Sequence, residues 1–336
     1  MSGGRRPAIL GTGSCLPDTV RRNDDPVFDW LHRNNPAGSE LFQGYEQRRV
    51  LAKGQTVVDI MVPAARRALA AAGRTIEQVD LLLGYASVSQ WAMPNDLARV
   101  AARLGLPPHA EVVPVNSEFT NFNQGLVLAD ALLSLGRATC ALIVVGGNWT
   151  RYVDYHTAPA ISAGDGAAAA VLACSDDPTR FAVVASQVEH RYSYLGGMFL
   201  DSDPAWPATT PPRYLAPVFH LEPLGVRAFK DFGTAGLPAL VGDVLARHGV
   251  AAGDVAFLGH QASAVLNQAW QAAIRPGQFI STLPTFANMT LASVAVNLDI
   301  CYEEIVTPFV VIVTLGPEVS GNVVLLGREL PASAVM

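Results

Sequence analysis

The 336-residue sequence is poor in charge, in cysteine and in long hydrophobic segments. Charged residues make up only 15% of the chain, and the net charge of −6 offers no basic surface for nucleic acid or for an anionic membrane. No apolar stretch reaches the ~18 residues that a membrane-spanning helix needs. The first apolar run, Ala8–Leu10, is too short for the core of a signal peptide. The sequence therefore predicts a protein that binds neither nucleic acid nor membrane.

Four cysteines lie far apart in the chain, at positions 15, 140, 174 and 301. Their spacing matches neither a disulfide framework nor a zinc site, so we interpret them as reduced thiols in a cytoplasmic protein. We expect no metal and no cofactor. Half of the residues are apolar, which is enough for a large core in a chain of two domain-sized units.

Apolar runs typical of strands alternate with segments of helical spacing along the whole chain, which favours a layered α/β fold. The order of elements recurs, which predicts two duplicated halves at residues 1–175 and 176–336. The pattern predicts a first strand at Ala8–Leu10 that stops at Gly11 and Gly13. It predicts a buried parallel strand over residues 141–145, and helices over residues 56–73, 119–136 and 262–273. It predicts one long helix over residues 225–248, and a loop over the proline-rich residues 199–219.

Several segments, in the same order, resemble type III β-ketoacyl-acyl-carrier-protein synthases of the thiolase superfamily. There are six such segments: Leu10–Pro17, Asp80–Leu83 through Pro94, Gly164–Leu172, His220 with Gly225, Phe229 and Lys230, Gly259–Ala262, and Ala287–Ser293. The resemblance covers nearly the whole chain. It implies a thiolase-type fold, with two five-stranded sheets in an αβαβα arrangement, and a protein that forms dimers.

The resemblance also implies roles for particular residues. Relatives carry the acyl group on a cysteine thiolate at a helix N-terminus, where a histidine and an asparagine polarise the thioester carbonyl. His260 and Asn288 match those two positions. Their alternative roles are a structural histidine and a helix cap. Gly316 matches a glycine whose backbone N–H helps to form an oxyanion hole, although an ordinary turn explains Leu315-Gly316-Pro317 equally well.

The segment of the nucleophile departs from the family pattern. It reads Val115-Asn116-Ser117-Glu118-Phe119-Thr120, and Phe119 aligns with the cysteine position, where phenylalanine cannot form an acyl-enzyme. Glu118 is a candidate general base for a hydroxyl or amine acceptor, or a charge that only stabilises the helix start. Ser117 and Thr120 are weaker candidates for a nucleophile.

The coenzyme A site implied by the resemblance is also altered. Trp30 remains at the entrance, but an insertion around residues 34–38 interrupts the arginine pattern that follows it. Thr157 stands at a second arginine position, and Arg151 lies a few residues earlier. Since arginine is the main ligand for phosphate, we expect an acyl thioester on a carrier protein, or another small substrate, rather than tightly bound coenzyme A.

Three functions remain open at this point. The first is an acyltransferase of specialised, natural-product metabolism that works without a cysteine acyl-enzyme. The second is a catalytically silent subunit that pairs with a cysteine-bearing homologue, in a heterodimer rather than a homodimer. The third is ordinary condensation through a nucleophile shifted to a neighbouring residue.

Overall fold

The computed structural model describes residues 5–91, 93–117, 119–201 and 217–330. The strands are β1 (Arg6–Cys15), β2 (Thr19–Arg22), β3 (Gln47–Val50), β4 (Leu81–Ala86), β5 (Glu111–Pro114), β6 (Cys140–Asn148), β7 (Asp165–Ser175), β8 (Ala182–His190), β9 (Met198–Asp201), β10 (Val218–Leu221), β11 (Val255–Gly259), β12 (Gln278–Ile280), β13 (Phe309–Leu315) and β14 (Ser320–Gly327). The α-helices are α1 (Asp29–Asn34), α2 (Val58–Ala71), α3 (Leu97–Leu104), α4 (Asn121–Ser134), α5 (Pro223–Ala228), α6 (Leu237–Arg247), α7 (Ala264–Ile274), α8 (Leu283–Phe286) and α9 (Ser293–Ile300).

Two five-stranded mixed sheets repeat one topology. The first has the order β1-β7-β6-β4-β5 and the second, read from its opposite edge, β8-β14-β13-β11-β12. In each sheet the third, fourth and fifth strands of that order are parallel, and the first and second strands pair antiparallel. The chain crosses from the first sheet to the second between Ser175 and Ala182.

Helices form three layers around these sheets. Helices α4 and α9 contact both sheets and fill the central layer, α2 and α3 cover the outer face of the first sheet, and α6 covers that of the second. The central helix α9 is buried along nearly its whole length, which explains why its apolar residues show no single face. The chain therefore has the thiolase-type αβαβα fold.

The first strand is longer than the sequence pattern predicts. β1 continues through Gly11 and Gly13 to Cys15, so the expectation that these glycines end the strand is wrong. A side chain at Gly11 would approach the Ala72 nitrogen to 2.4 Å, and one at Gly13 would approach the Ala68 nitrogen equally closely. These glycines allow α2 to pack directly on the strand, as glycine does wherever two backbones approach closely.

The segment predicted as one long helix has three parts. Between α5 and α6, residues Phe229–Gly236 form a π-helix, and the carbonyl of Gly233 there accepts a hydrogen bond from the Trp270 indole at 2.7 Å. The predicted loop 199–219 is wrong at its ends, where β9 and β10 pair antiparallel. Residues 202–216 of that loop lie outside the described part of the chain.

Candidate active site

His260 follows the last residue of β11, at the carboxyl end of parallel strands, where open α/β sheets place their sites. Its backbone N–H donates to the carbonyl of Val313 at 2.8 Å, which holds it to the neighbouring strand. The side chain is buried, and its Nδ1 has no hydrogen-bond partner among the described residues. Burial lowers the pKa of His260 from 6.5 to about 4, so its imidazole is neutral at pH 7 and carries one N–H donor.

Asn288 lies in the turn between α8 and α9, held by backbone hydrogen bonds to two residues of the first half. Its N–H donates to Ser162 at 2.8 Å, and its carbonyl accepts from Gly164 at 2.9 Å. Its side-chain oxygen accepts from the backbone N–H of Thr290 at 2.8 Å. The cap thus fixes the amide oxygen, and the amide nitrogen is left as a donor. Both roles expected for this residue are compatible with this geometry.

Phe119 lies on the turn that leads into α4, with a φ of 66° that is uncommon for a residue with a side chain. The Asn121 side chain stabilises this turn, because it donates a hydrogen bond to the carbonyl of Val115 at 2.6 Å. The Phe119 ring is buried against the His260 imidazole, with ring centroids 5.3 Å apart. The turn therefore directs an aromatic ring at the histidine.

A cavity of about 20 Å³ brings Phe119, His260 and Asn288 together. Its other lining residues are Phe42, Trp149, Met198, Phe219, Leu221, Phe229, Ala262 and Leu315. We call this cavity the central chamber. It has room for roughly one water molecule, or for one oxygen of a substrate.

Three residues that line the central chamber carry hydrogen-bond donors. These donors are the amide nitrogen of Asn288, the one N–H of His260 and the indole nitrogen of Trp149. The indole nitrogen is buried and has no partner among the described residues. In a cavity that excludes water, such donors stabilise a carbonyl oxygen that gains negative charge, provided that they lie within hydrogen-bond distance of it. The arrangement can therefore hold a thioester carbonyl or a related oxyanion.

Gly316 does not offer its N–H to the chamber. That group donates to the carbonyl of Ser320 at 2.8 Å, within the turn between β13 and β14. Pro317 has no N–H, and the adjacent Leu315 contributes only an apolar wall to the chamber. The ordinary-turn interpretation of this segment accounts for the observed geometry.

The other candidates beside Phe119 are placed differently. Thr120 is buried and donates its hydroxyl to the carbonyl of Ser117 at 3.0 Å, while the Ser117 hydroxyl has no partner among the described residues. Neither residue lines the central chamber. Glu118 lies outside the described residues, so its role stays a prediction.

The four cysteines are unpaired and do not line the central chamber. Cys15, expected on the first turn, lies at the end of β1, and Cys140 begins β6. The site is at the other end of β6, where Gly147 contacts the Asn288 turn. At ~3.3 Å per residue, the eight steps from Cys140 to Asn148 span roughly 26 Å. Burial raises the pKa of the Cys140 thiol, which makes it a poor nucleophile as well.

A second cavity, of about 370 Å³, shares the lining residues Phe219 and Leu221 with the central chamber. Its walls carry Asp154, Glu222, His156 and His220, and they include Thr157 at the expected arginine position. No lysine or arginine is among its described lining residues. We call it the polar cavity.

The two other residues of the predicted coenzyme A site, Trp30 and Arg151, make contacts outside the polar cavity's own lining. Trp30 packs edge-on against His156, with ring centroids 5.0 Å apart. The Arg151 guanidinium donates to the carbonyl of Ala52 at 2.8 Å. Neither residue is part of the described lining of the polar cavity.

The aromatic wall of the chamber is not predicted by the sequence pattern. Phe219 and Leu221 lie on β10, the first at the end of the segment predicted as a loop and the second two residues beyond it. Trp149 directly follows β6. The alternation of Val218-Phe219-His220-Leu221 was the available signal, since alternate residues of a strand face the same side. Nothing in the chain near Trp149 marks it as part of a site.

Two absences hold for the part of the chain that the structure describes. No cluster of three or more histidine, cysteine, aspartate or glutamate side chains is arranged to hold a metal ion. Every described helix also falls short of the length and hydrophobicity needed to cross a membrane.

Comparison with known proteins places the chain in a family. Residues 115–190 match the family description "3-Oxoacyl-[acyl-carrier-protein (ACP)] synthase III". The β-ketoacyl-[acyl-carrier-protein] synthase III of Bordetella petrii is 30% identical over 298 residues, which cover 87% of this chain and 88% of that protein. The chain belongs to the β-ketoacyl-[acyl-carrier-protein] synthase III family. The synthase III of Hyphomonas neptunium is similarly related, with 29% identity over 88% of this chain and 90% of that protein.

Solved structures of synthase III proteins and related ketosynthases share the fold. The priming β-ketosynthase of the R1128 polyketide biosynthetic pathway aligns with a TM-score of 0.83 over 97% of this chain and 98% of that chain, at 23% identity. The synthase III of Pseudomonas aeruginosa aligns with a TM-score of 0.80 over 97% and 100%, at 24% identity. At these identities the likeness concerns the fold alone.

Proposed function

We propose that the protein is an atypical acyltransferase of the synthase III family that processes an acyl thioester without forming a cysteine acyl-enzyme. The observation that carries the proposal is the contact of Phe119 with His260 in the chamber that Asn288 also lines. The donors for a thioester carbonyl are retained there, while the group that faces them is a hydrocarbon ring, which cannot accept an acyl group. Transfer would therefore be direct, from thioester to acceptor.

The size of the central chamber supports direct transfer. A space of about 20 Å³ accommodates one carbonyl oxygen and excludes bulk water. Each donor aimed at a developing oxyanion contributes about 3 kcal/mol to the transition state. In this step the acceptor attacks the carbonyl carbon, the carbonyl oxygen takes up negative charge beside His260 and Asn288, and the carrier thiolate then departs.

The acceptor must lose a proton during that step. His260 is a weak base, because burial lowers its pKa to about 4. We propose Glu118, three positions before the start of α4 in the sequence, as the group that accepts the proton from a hydroxyl or amine acceptor and returns it to the departing thiolate. This assignment depends on its position in the sequence beside Phe119.

The polar cavity supports a substrate other than tightly bound coenzyme A. The walls carry the carboxyl side chains of Asp154 and Glu222, and the described lining has no lysine or arginine to pair with phosphates. Since like charges repel, the cavity disfavours the diphosphate of coenzyme A. An acyl group on a carrier protein, whose phosphate stays at the carrier's surface, agrees better with these walls.

The test uses acyl N-acetylcysteamine thioesters with amine and alcohol acceptors, and it measures release of the thiol. His260→Ala and Asn288→Ala are each expected to lower the transfer rate about 100-fold, the usual cost of losing one such donor. His248→Ala changes an exposed histidine at the end of α6 and serves as the matched control. Rates unchanged from wild type in both site variants would refute direct transfer at this chamber.

A second candidate function is that of a silent subunit with a cysteine-bearing partner. The Phe119 ring that fills the chamber favours it, as does the edge strand β5, which carries an exposed Val113 and pairs on one side only within the described chain. Co-purification with such a homologue, and no thioester turnover by the isolated chain, would support this candidate. A homodimer that turns over thioesters alone would exclude it.

The setting that we propose is cytoplasmic and belongs to specialised, natural-product metabolism. Unpaired thiols agree with a reducing compartment. The likeness in fold to a priming ketosynthase of a polyketide pathway agrees with the metabolic assignment.

A further inference from the structure

Trp149 carries a hydrogen-bond donor, the indole N–H, that contacts no acceptor among the described residues. The side chain is only 5% exposed, and it lines the central chamber. An unpaired N–H in an apolar interior is unfavourable, because the group has lost its hydrogen bonds to water. Since buried donors are nearly always paired in folded proteins, an unpaired donor at the wall of a cavity indicates a partner that binds there.

Hydrogen bonds and ring packing fix the position of Trp149. The next residue, Thr150, donates its N–H and its hydroxyl to the two carboxylate oxygens of Asp165, at 3.0 and 2.6 Å. Asp165 is itself buried on β7 and also accepts from the N–H of Leu51 at 2.8 Å. The Phe219 ring packs edge-on against the indole, with ring centroids 5.5 Å apart. These contacts restrain the indole, which is the condition for a preorganised donor.

The chamber has one donor more than a carbonyl oxygen can use. Its volume of about 20 Å³ has room for one oxygen, and His260, Asn288 and Trp149 all line it. A carbonyl oxygen has two lone pairs, so two donors satisfy it. When an acceptor bonds to the carbonyl carbon, the second electron pair of the C=O bond moves to the oxygen as a further lone pair. That pair returns when the bond from carbon to sulfur breaks, so a third donor is used only while the tetrahedral intermediate exists.

We propose that Trp149 is a catalytic residue, whose indole N–H donates the third hydrogen bond to the oxyanion of the tetrahedral intermediate. The inference rests on the proposed function, because it assumes that the acyl carbonyl lies in the central chamber. Trp149 then binds the transition state more tightly than the substrate, and such an interaction raises kcat without changing KM. Gly316 does not supply this bond, since its own N–H donates to Ser320.

Trp149→Phe removes the indole N–H and keeps an aromatic ring. With acyl N-acetylcysteamine thioesters, kcat for thiol release is expected to fall about 100-fold, the usual cost of one oxyanion donor, while KM stays within about twofold of wild type. Trp91→Phe is the matched control, because it makes the same change at an exposed residue that lines neither the central chamber nor the polar cavity. A wild-type kcat in Trp149→Phe, or an equal fall in the control, would overturn the proposal.

Binding of two unreactive probes isolates the tetrahedral state. Octyl trifluoromethyl ketone is hydrated in water to a tetrahedral diol, octyl methyl ketone stays planar, and neither has a thiol to release. In titration calorimetry, Trp149→Phe should weaken binding of the hydrated ketone at least about tenfold and of the methyl ketone less than about twofold. Equal losses would mean that Trp149 binds substrate and intermediate alike, which contradicts the assignment.

Wild-type protein offers a test that does not depend on the folding of a variant. With ¹⁵N-labelled tryptophan, the indole proton of Trp149, assigned through its own backbone, is expected to move downfield when the hydrated ketone binds. The methyl ketone should leave this signal in place. An unmoved signal at saturation with the hydrated ketone would reject the proposed hydrogen bond.

The outcomes separate this inference from the proposed function. If Trp149→Phe transfers at the wild-type rate while His260→Ala and Asn288→Ala are slow, direct transfer stands and the third donor is wrong. If the His260 and Asn288 variants transfer normally while Trp149→Phe is slow, the Trp149 assignment stands and the roles proposed for the other two residues are wrong. Wild-type rates in all three variants would reject both.

Discussion

Each half of the chain leads into its central helix through a residue with a left-handed backbone conformation. The side chains that the two turns bring to the site differ in their chemistry. In the first half, Phe119 with φ of 66° precedes the central helix α4; in the second, Thr290 with φ of 52° precedes the central helix α9. The second turn presents Asn288, and the neighbouring strand presents His260. The first presents an aromatic ring. The backbone conformation before each central helix is therefore independent of the chemistry of the side chain that the turn carries.

The preserved shape has a cost. A left-handed conformation is less favourable by about 1–2 kcal/mol for a residue with a side chain. The surrounding structure maintains it through Asn121, which donates to Val115, and through Asn123, whose side chain donates to the carbonyl of Ile312 in the second sheet at 3.1 Å. Since these bonds do not involve the Phe119 side chain, the turn can persist with the ring in place.

The largest effect is expected from Phe119→Cys, which replaces the aromatic ring of the first half with a nucleophile. A thiol at the start of α4 would face His260 and Asn288, and the helix terminus would favour its thiolate. Intact-protein mass spectrometry after incubation with octanoyl N-acetylcysteamine is expected to show an octanoyl adduct on most molecules, against none for wild type. Thr120→Cys, which places the thiol outside the chamber, should stay unmodified.

Two outcomes would contradict this prediction. A folded Phe119→Cys protein without adduct would mean that position 119 is not the acyl-accepting position. An adduct on Ser117 or Thr120 of wild-type protein would revive condensation through a shifted nucleophile.

A smaller effect is expected when the second half loses the hydrogen-bond donor of Asn288. Asn288→Asp keeps an oxygen for the Thr290 N–H but removes the amide donor and adds a negative charge beside the carbonyl. We expect thiol release to slow at least 100-fold, about 3 kcal/mol, while the unfolding free energy changes by less than about 1 kcal/mol. Kinetics and urea unfolding of the same preparation check this. Thiol release at the wild-type rate would show that Asn288 acts mainly as a cap, since aspartate keeps the oxygen that accepts from Thr290.

The buried His260 imidazole of the second half predicts a pH dependence of the unfolding free energy. The Phe119 ring of the first half has no titratable group and contributes none. The folded-state pKa of His260, about 4, is below the ordinary value of 6.5 for histidine, so the unfolded state binds more protons between these values. The unfolding free energy should therefore fall as pH falls from 6.5 to 4, by up to about 3 kcal/mol. In His260→Gln that part of the fall should vanish. Urea unfolding at pH 7.5 and 4.5 measures it, and equal falls in both proteins would reject the assignment.

The smallest expected effect concerns the contact between the halves. A side chain at Gly147 would come within 2.5 Å of the Met289 carbonyl oxygen, so Gly147→Ala should displace the Asn288 turn and cost about 1–3 kcal/mol of stability. Gly242→Ala, in helix α6 with nothing within 4 Å, should instead stabilise by up to about 1 kcal/mol. Thermal unfolding compares the two. Equal effects would mean that the halves do not pack tightly at Gly147.

Local pattern was sufficient for much of the fold. Continuous apolar runs such as residues 141–145 predicted buried parallel strands, and helical spacing located α2, α4 and α7 to within a few residues. It failed at β1, where Gly11 and Gly13 look like a turn but serve a close helix contact. It failed again at residues 229–236, where no local signal separates a π-helix from an α-helix.

The residues themselves determined the alternation of strands and helices and the placement of His260 and Asn288 after apolar segments, because periodicity and strand ends are encoded locally. They also determined that position 119 holds a ring that cannot carry an acyl group. Tertiary structure alone decided that this ring lies against His260, that Ser320 occupies the Gly316 donor, and that Phe219 lines both the central chamber and the polar cavity. These facts depend on contacts between residues more than a hundred positions apart, or on turn hydrogen bonds that no periodicity encodes.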